Sequence, residues 1–231
     1  MLTLDHLEIR QGDFRLTADL QVTAGTIGAI IGPSGAGKST LLSAVAGFLL
    51  PTKGRILWDG VDLSRLPPGK RPISVLFQDQ NLFPHLTVAQ NLGLGLRPDL
   101  RLGPDDRWKI AEALRRVGLE GTLERKPGSL SGGQQSRVAL ARSLLRKRPL
   151  LLLDEPFAAL GPALKVEMLD MVRELATETG TTVLMVSHDP ADARRIASQT
   201  ILVAHGRAEQ PAPTAALLDN PPPSLADYLG K

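Results

Sequence analysis

Nine consecutive residues, Gly32-Pro33-Ser34-Gly35-Ala36-Gly37-Lys38-Ser39-Thr40, combine glycines, a lysine and three hydroxyls at the spacing of a phosphate-binding loop. The chemistry needs glycine at 35 and 37 because successive backbone N–H groups must turn inward around phosphate oxygens, and a side chain there would block their approach. Lys38 then reaches the β- and γ-phosphates, and the Ser39 hydroxyl is a ligand for Mg²⁺. A bare glycine-rich turn is the plain alternative. The eight matching positions, with an apolar run ending at Ile31 before them and apolar helical spacing (Leu41, Leu42, Val45) after them, favour the phosphate loop.

Such a loop needs a carboxylate on a neighbouring strand to hold the metal. Leu150-Leu151-Leu152-Leu153 ends in Asp154-Glu155, so Asp154 is expected to hold Mg²⁺ and Glu155 to polarise the attacking water. Taken alone, a carboxylate pair at a strand end reads as readily as a solvated turn. A second anion-binding element lies 23 residues before Asp154, where Leu130-Ser131-Gly132-Gly133-Gln134 opens a helix. Ser131 is its expected N-cap, and Gly132 and Gly133 leave the first-turn N–H groups uncovered.

The elements that must position these residues are legible in the apolar pattern. Phe14, Leu16, Ala18, Leu20 and Val22 alternate with polar residues, as in a half-buried strand, whereas residues 26–31, 150–153 and 182–186 are continuous apolar runs, as in strands buried on both faces of a parallel sheet. Helical patterns follow or precede these runs, which predicts an α/β fold with a mostly parallel sheet and an antiparallel β element at the amino end. Between them, helices are expected over residues 88–96, 105–117 and 131–146. One domain, 1–231, is therefore expected, with a core formed by 1–83 and 149–210, a helical subdomain inserted at 84–148 and a short proline-containing tail at 211–231.

Composition bounds the function classes. The 231 residues carry 27 Lys+Arg against 24 Asp+Glu, are 42% apolar and contain no cysteine, which excludes a disulfide framework, a thiolate metal site and a cysteine nucleophile. No apolar stretch approaches the ~20 residues of a membrane helix, and the first residues lack a signal-peptide pattern. The densest basic run, Arg142, Arg146, Lys147 and Arg148, sits at the carboxyl end of a predicted helix, where cations offset the macrodipole, so nucleic-acid binding is not needed to explain it.

The run from Leu130 to Arg142, together with the phosphate loop and Asp154-Glu155, resembles the ATP-binding cassette (ABC) family of P-loop NTPases over about residues 2–210. The resemblance implies that ATP and Mg²⁺ bind at Gly32 to Thr40 and that Ser131, Gly132, Gly133 and Gln134 contact the ATP held by a second copy. It also implies that Gln78 joins Ser39 and Asp154 at the metal and links that site to a membrane partner, and that His188 orients the water and the γ-phosphate. Two departures stand out. Gly161 replaces the carboxylate that usually follows Ala-Leu in the family, which puts the usual cross-dimer contact of that segment in question. The aromatic expected to stack on adenine is matched only by Phe14, whose place in the strand points it to the core, leaving Gln11 as neighbour of the base. The segments 46–49, 67–72 and 77–96 look like those of bacterial importer subunits. That branch implies a homodimer on the cytoplasmic face of the inner membrane, working with a separate transmembrane permease and, through it, a periplasmic or surface solute-binding protein, with thiamine as the solute. Other solutes, or a soluble ATPase acting on nucleic acid, are the alternatives. Leu82, Phe83, Leu86 and Val88 could form an apolar patch for the permease, with core packing as the equal alternative.

Overall fold

The computed structural model describes residues 1–79 and 81–229. Gln80, within the importer-like segment, and Gly230 and Lys231 of the tail lie outside the described residues. Two antiparallel strands, β1 (Leu2–Gln11) and β2 (Phe14–Val22), precede β3 (Ile27–Ile31) and the helix α1 (Lys38–Ala46). Then follow β4 (Lys53–Trp58), β5 (Val61–Asp62), β6 (Ile73–Leu76), α2 (Val88–Gly93), α3 (Pro104–Arg116) and α4 (Gly132–Leu145). The second half alternates as β7 (Leu150–Asp154), α5 (Pro162–Thr179), β8 (Thr182–Val186), α6 (Pro190–Ile196) and β9 (Gln199–Ala204). The chain finishes with β10 (Arg207–Ala208), β11 (Ala212–Pro213), α7 (Thr214–Asp219) and α8 (Pro223–Leu229).

The strands lie in the order β5-β4-β1-β2-β10-β9-β3-β8-β7-β6, with β11 beside β9. From β9 to β6 every pairing is parallel, and β1, β2, β4 and β5 pair antiparallel. Strands β3, β7 and β8 are buried along nearly their whole length because helices or strands cover both faces, which is why they read as unbroken apolar runs. In β2 the alternation puts Leu16, Ala18, Leu20 and Val22 inside. β1 follows the same rule only in two halves, Leu2/Leu4 and Leu7/Ile9, because a bulge between Leu4 and Leu7 places His6 at φ 48°.

Three apolar clusters hold the molecule. One lies between the antiparallel strands and α1, and a second lies under α5 and α6 on the other side of the parallel strands. The third, around Val88, Leu92, Ile110, Leu114 and Val138, joins α2, α3 and α4 to one another. The lower end of α1 is closed by Arg71, which is fully buried. Its guanidinium donates to the carbonyls of Ala44 and Val45, both at 2.8 Å, and to Leu66 and Ser64. Two carbonyls in the last turn of the helix that carries Lys38 thereby gain a charged donor.

The helix bounds shift by one to three residues from the pattern. α2 stops at Gly93, and Ser131 and Arg146 cap α4 instead of belonging to it. The tail is more structured than its prolines suggest. Pro223 occupies the first turn of α8, where a missing N–H costs nothing, and Leu218 and Leu225 are buried in the second cluster.

Candidate active site

β3, β8 and β7 are neighbours in the sheet, and their carboxyl ends deliver the phosphate loop, the His188 segment and Asp154-Glu155 to one edge. A crevice outside the carboxyl ends of parallel strands is where open α/β sheets bind ligands. After Ile31 the loop turns through residues 32–37, and Gly37, in the left-handed region at φ 102°, starts α1. A Cβ on Gly37 would lie 2.6 Å from the Phe14 ring, so this glycine allows both the turn and the close approach of β2. Phe14 therefore packs beneath the loop, at the edge of the first cluster, while Gln11 is exposed at the end of β1.

Lys38 is buried, and its Nζ donates to the carbonyls of Gly32 at 2.8 Å and Pro33 at 2.9 Å, which fixes the ammonium inside the curve of the loop. Burial pushes its pKa down, and the nearby charges of Glu155 and Asp154 pull it back up. Ser34 and Gly35 are exposed, as expected of residues that face a ligand. The Ser39 hydroxyl donates to Asp154 Oδ1 at 2.9 Å across the gap between α1 and β7. Two hard oxygen donors meeting at the first turn of a helix, beside a phosphate loop, fit the preferences of Mg²⁺.

Burial raises the Asp154 pKa above the ordinary carboxylate range. The Glu155 charge adds to that rise, while the Ser39 hydrogen bond and the Lys38 charge act against it. The ionised form is thus the costly one in the folded protein. The contribution of this one group to native stability is full below the ordinary aspartate pKa and is lost as pH rises through the raised value. Asp154→Asn, which keeps the acceptor for Ser39, is expected to raise the thermal midpoint of the nucleotide-free protein in magnesium-free buffer at about pH 7, with the gain shrinking toward acid pH. It is also expected to abolish magnesium-dependent ATP hydrolysis. A midpoint equal to or below that of the parent would contradict this electrostatic reading.

Glu155 follows at φ 46°, its N–H donating to Val186 O at 3.2 Å. This bent backbone aims the carboxylate at the segment after β8, where Oε2 lies 3.3 Å from His188 Nδ1. Residues flanking His188 are tied down: Ser187 Oγ donates to Asp192 Oδ2 at 2.6 Å, and Lys165 of α5 pairs at 2.7 Å with both Asp189 and Asp192. Gln78 lies exposed two residues beyond β6, and among the described residues no hydrogen bond joins it to Ser39 or Asp154.

The second element is built as a capping box. Ser131 Oγ accepts from the Gln134 N–H at 3.3 Å, and Gln134 Oε1 accepts from the Ser131 N–H at 3.1 Å. Ser131 and Gly132 are exposed, whereas Gly133 is buried; a Cβ there would fall 2.3 Å from Leu164. Gly132 thus leaves the helix end open, and Gly133 lets α4 press against α5. At the other end of α4, Arg142 Nη1 donates to the Asn81 carbonyl at 2.8 Å, tying this helix to the segment that follows Gln78. The sequence marks Arg142 as a helix-end cation and as the last residue of the run from Leu130, but not its bond to Asn81, and it gives no signal for Lys165, because each acts through a partner remote in the chain.

A strand-borne carboxylate pair and a phosphate loop with a buried lysine define the class of P-loop ATPases, here with a separate glycine-opened, capped helix terminus. The ABC transporter family model matches residues 17–158, and the chain belongs to that family. It is 69% identical over 230 residues to the thiamine import ATP-binding protein ThiQ of Cereibacter sphaeroides, and 61% identical over 230 residues to that of Ruegeria sp.. Each match covers 100% of both chains. The protein of the same name from Yersinia pseudotuberculosis is 50% identical, over 95% of this chain and 93% of its own. Among solved structures, the dimeric post-hydrolysis state of the ATP-binding cassette MJ0796 bound to ADP and Pi superposes with a TM-score of 0.79 at 31% identity, covering 93% of this chain and 99% of the other.

Proposed function

We propose that this chain is the ATP-hydrolysing subunit of an importer for thiamine, and that two copies bind and hydrolyse ATP at shared sites. The observation that carries the ATPase reading is the meeting of Lys38, Ser39, Asp154, Glu155 and His188 at the ends of three adjacent strands. Identity of up to 69% with relatives named for thiamine import supports the solute, and the dimeric neighbour supports the shared site.

The residues divide the work. Backbone N–H groups of residues 32–37 and the Lys38 ammonium bind the phosphates, and Ser39 and Asp154, with Gln78, would hold Mg²⁺, which when bound neutralises phosphate charge. Glu155 accepts the proton of the attacking water, and His188 orients that water against the γ-phosphate. From the second copy, Ser131, Gly132 and Gly133 present the helix terminus to the same phosphate, with Gln134 holding the cap. ATP binding closes the dimer and hydrolysis opens it, so the free energy of the cycle becomes motion.

That motion needs a membrane partner, because no described helix is long and apolar enough to cross a membrane. A permease would dock where Phe77, Asn81, Phe83, Leu94, Arg142 and Val75 line a cavity of about 260 Å³. Phe83 is exposed and is held in place by Asn91, fully buried, whose side chain bonds both the N–H and the carbonyl of Phe83. Of the four residues considered for a docking patch, Val88 is wholly buried and Leu82 and Leu86 are partly so, which leaves Phe83 as the main exposed contact. In this arrangement the subunit sits on the cytoplasmic face of the inner membrane, and the solute-binding protein reaches it only through the permease.

The test is uptake of labelled thiamine by a deletion strain co-expressing this chain and its permease. Uptake is expected to return with the parent chain and to stay absent with Glu155→Gln. Restored uptake of a different solute alone would replace thiamine and leave the ATPase reading in place.

A further inference from the structure

We infer that Tyr228 is a positioning residue for His188: from α8 its hydroxyl fixes the backbone carbonyl of the histidine, so that the imidazole stays turned toward Glu155. The inference rests on the assignment of His188 and Glu155 to hydrolysis.

The segment 187–189 joins β8 to α6 and belongs to neither, so its backbone needs partners from elsewhere. On one side, the Ser187 hydroxyl is held by Asp192 and in turn accepts the Asp189 N–H at 3.0 Å. On the other, Lys165 grips the Asp189 carboxylate at 2.7 Å. Between these anchors His188 has two contacts of its own, the Glu155 carboxylate on its ring and the Tyr228 hydroxyl on its carbonyl. With residues 187 and 189 fixed, the remaining freedom of the segment is rotation of the peptide planes at residue 188. A donor on that carbonyl removes it.

Tyr228 is suited to act as such a donor. Its ring packs against the second apolar cluster beside the fully buried Leu225, so the phenol is delivered by a seated helix. Burial raises its pKa, and the charges of Asp189 and Glu155 raise it further, so the hydroxyl keeps its proton through the neutral range in which ATP is hydrolysed. No feature of the core requires the hydroxyl. A phenylalanine would fill the same space, which separates the hydrogen bond from the packing.

The experiment compares four full-length proteins: the parent, Tyr228→Phe, His188→Ala and the double variant. Tyr228→Phe is expected to keep the thermal midpoint and the KM for ATP while lowering kcat roughly 3–10-fold, the worth of one hydrogen bond. In the His188→Ala background the same substitution is expected to lower kcat no further, because its only route to the chemistry is gone. An unchanged kcat in Tyr228→Phe overturns the inference, and so does an equal fold-loss in both backgrounds. If His188→Ala by itself hydrolyses ATP at the parent rate, the assignment of His188 fails and the inference with it. Tyr228 is the only tyrosine of the chain, so 3-fluorotyrosine labelling gives one ¹⁹F resonance. In the Glu155→Gln background that resonance is expected to move with ATP and not with ADP, and a resonance indifferent to both would also overturn the inference.

Discussion

Glu155→Gln is expected to bind ATP as tightly as the parent and to hydrolyse it at least 100-fold more slowly, the usual worth of a general base. The substitution preserves shape: an amide occupies the space of the carboxylate 3.3 Å from His188 Nδ1 and leaves the bent backbone at φ 46° undisturbed. What it removes is the ability to take a proton from water. In the proposed cycle product formation reopens the dimer, so the variant is expected to accumulate in the ATP-bound closed form. Phosphate release and equilibrium nucleotide binding, measured on one preparation, check both halves. A hydrolysis rate within threefold of the parent would move the base elsewhere.

Lys38→Ala is expected to lose affinity for ATP by about 100-fold or more. A lysine that is nearly inaccessible and donates to two loop carbonyls at 2.8 and 2.9 Å is already aimed into the loop, so little order is lost when phosphate oxygens become its partners. Charge-assisted hydrogen bonds contribute roughly 1.5–3 kcal/mol each, and two of them suffice for that loss. The helix itself should survive, since its start depends on Gly37 and its end on Arg71. Titration with a fluorescent ATP analogue, alongside circular dichroism, measures the effect. Undiminished affinity in a folded variant would remove Lys38 from the site.

The contrast between these two residues and the others shows what a sequence makes legible. Lys38, Ser39 and Asp154 stand out in the sequence, because phosphate and metal chemistry demands specific side chains just beyond the ends of buried strands, and the fold brings Ser39 to Asp154. The buried strands β3, β7 and β8 were equally plain as unbroken apolar runs. β1 was not marked by the pattern, since its bulge at His6 splits the alternation into two short halves. The last two helices were hidden by the prolines of a segment that reads as a short tail, although the first turn of a helix accepts proline, as at Pro223. Lys165 and Tyr228 carry no local signal, and Arg142 is marked only as part of a basic run and of the run from Leu130. Their contacts with Asp189, His188 and Asn81 reach 24, 40 and 61 positions along the chain, and only the folded chain brings such pairs together.

The departure at Gly161 bears on the dimer. Gly161 caps α5 without a side chain, and α5 carries Leu164 against Gly133 and Lys165 against Asp189. One helix thus packs against the open terminus of α4 through Leu164 and ties the segment beside His188 through Lys165.

The central claim is that each ATP is enclosed by two copies, one supplying the phosphate loop and the other Ser131 and Gly132. Light scattering of the Glu155→Gln variant, with and without ATP, measures it most directly. The account requires a mass of twice the 24.8 kDa chain with ATP and Mg²⁺, and a return to one chain when Ser131→Arg is added, with ATP still bound. A single-chain mass with ATP saturating the Glu155→Gln variant, or a dimer indifferent to Ser131→Arg, would contradict it.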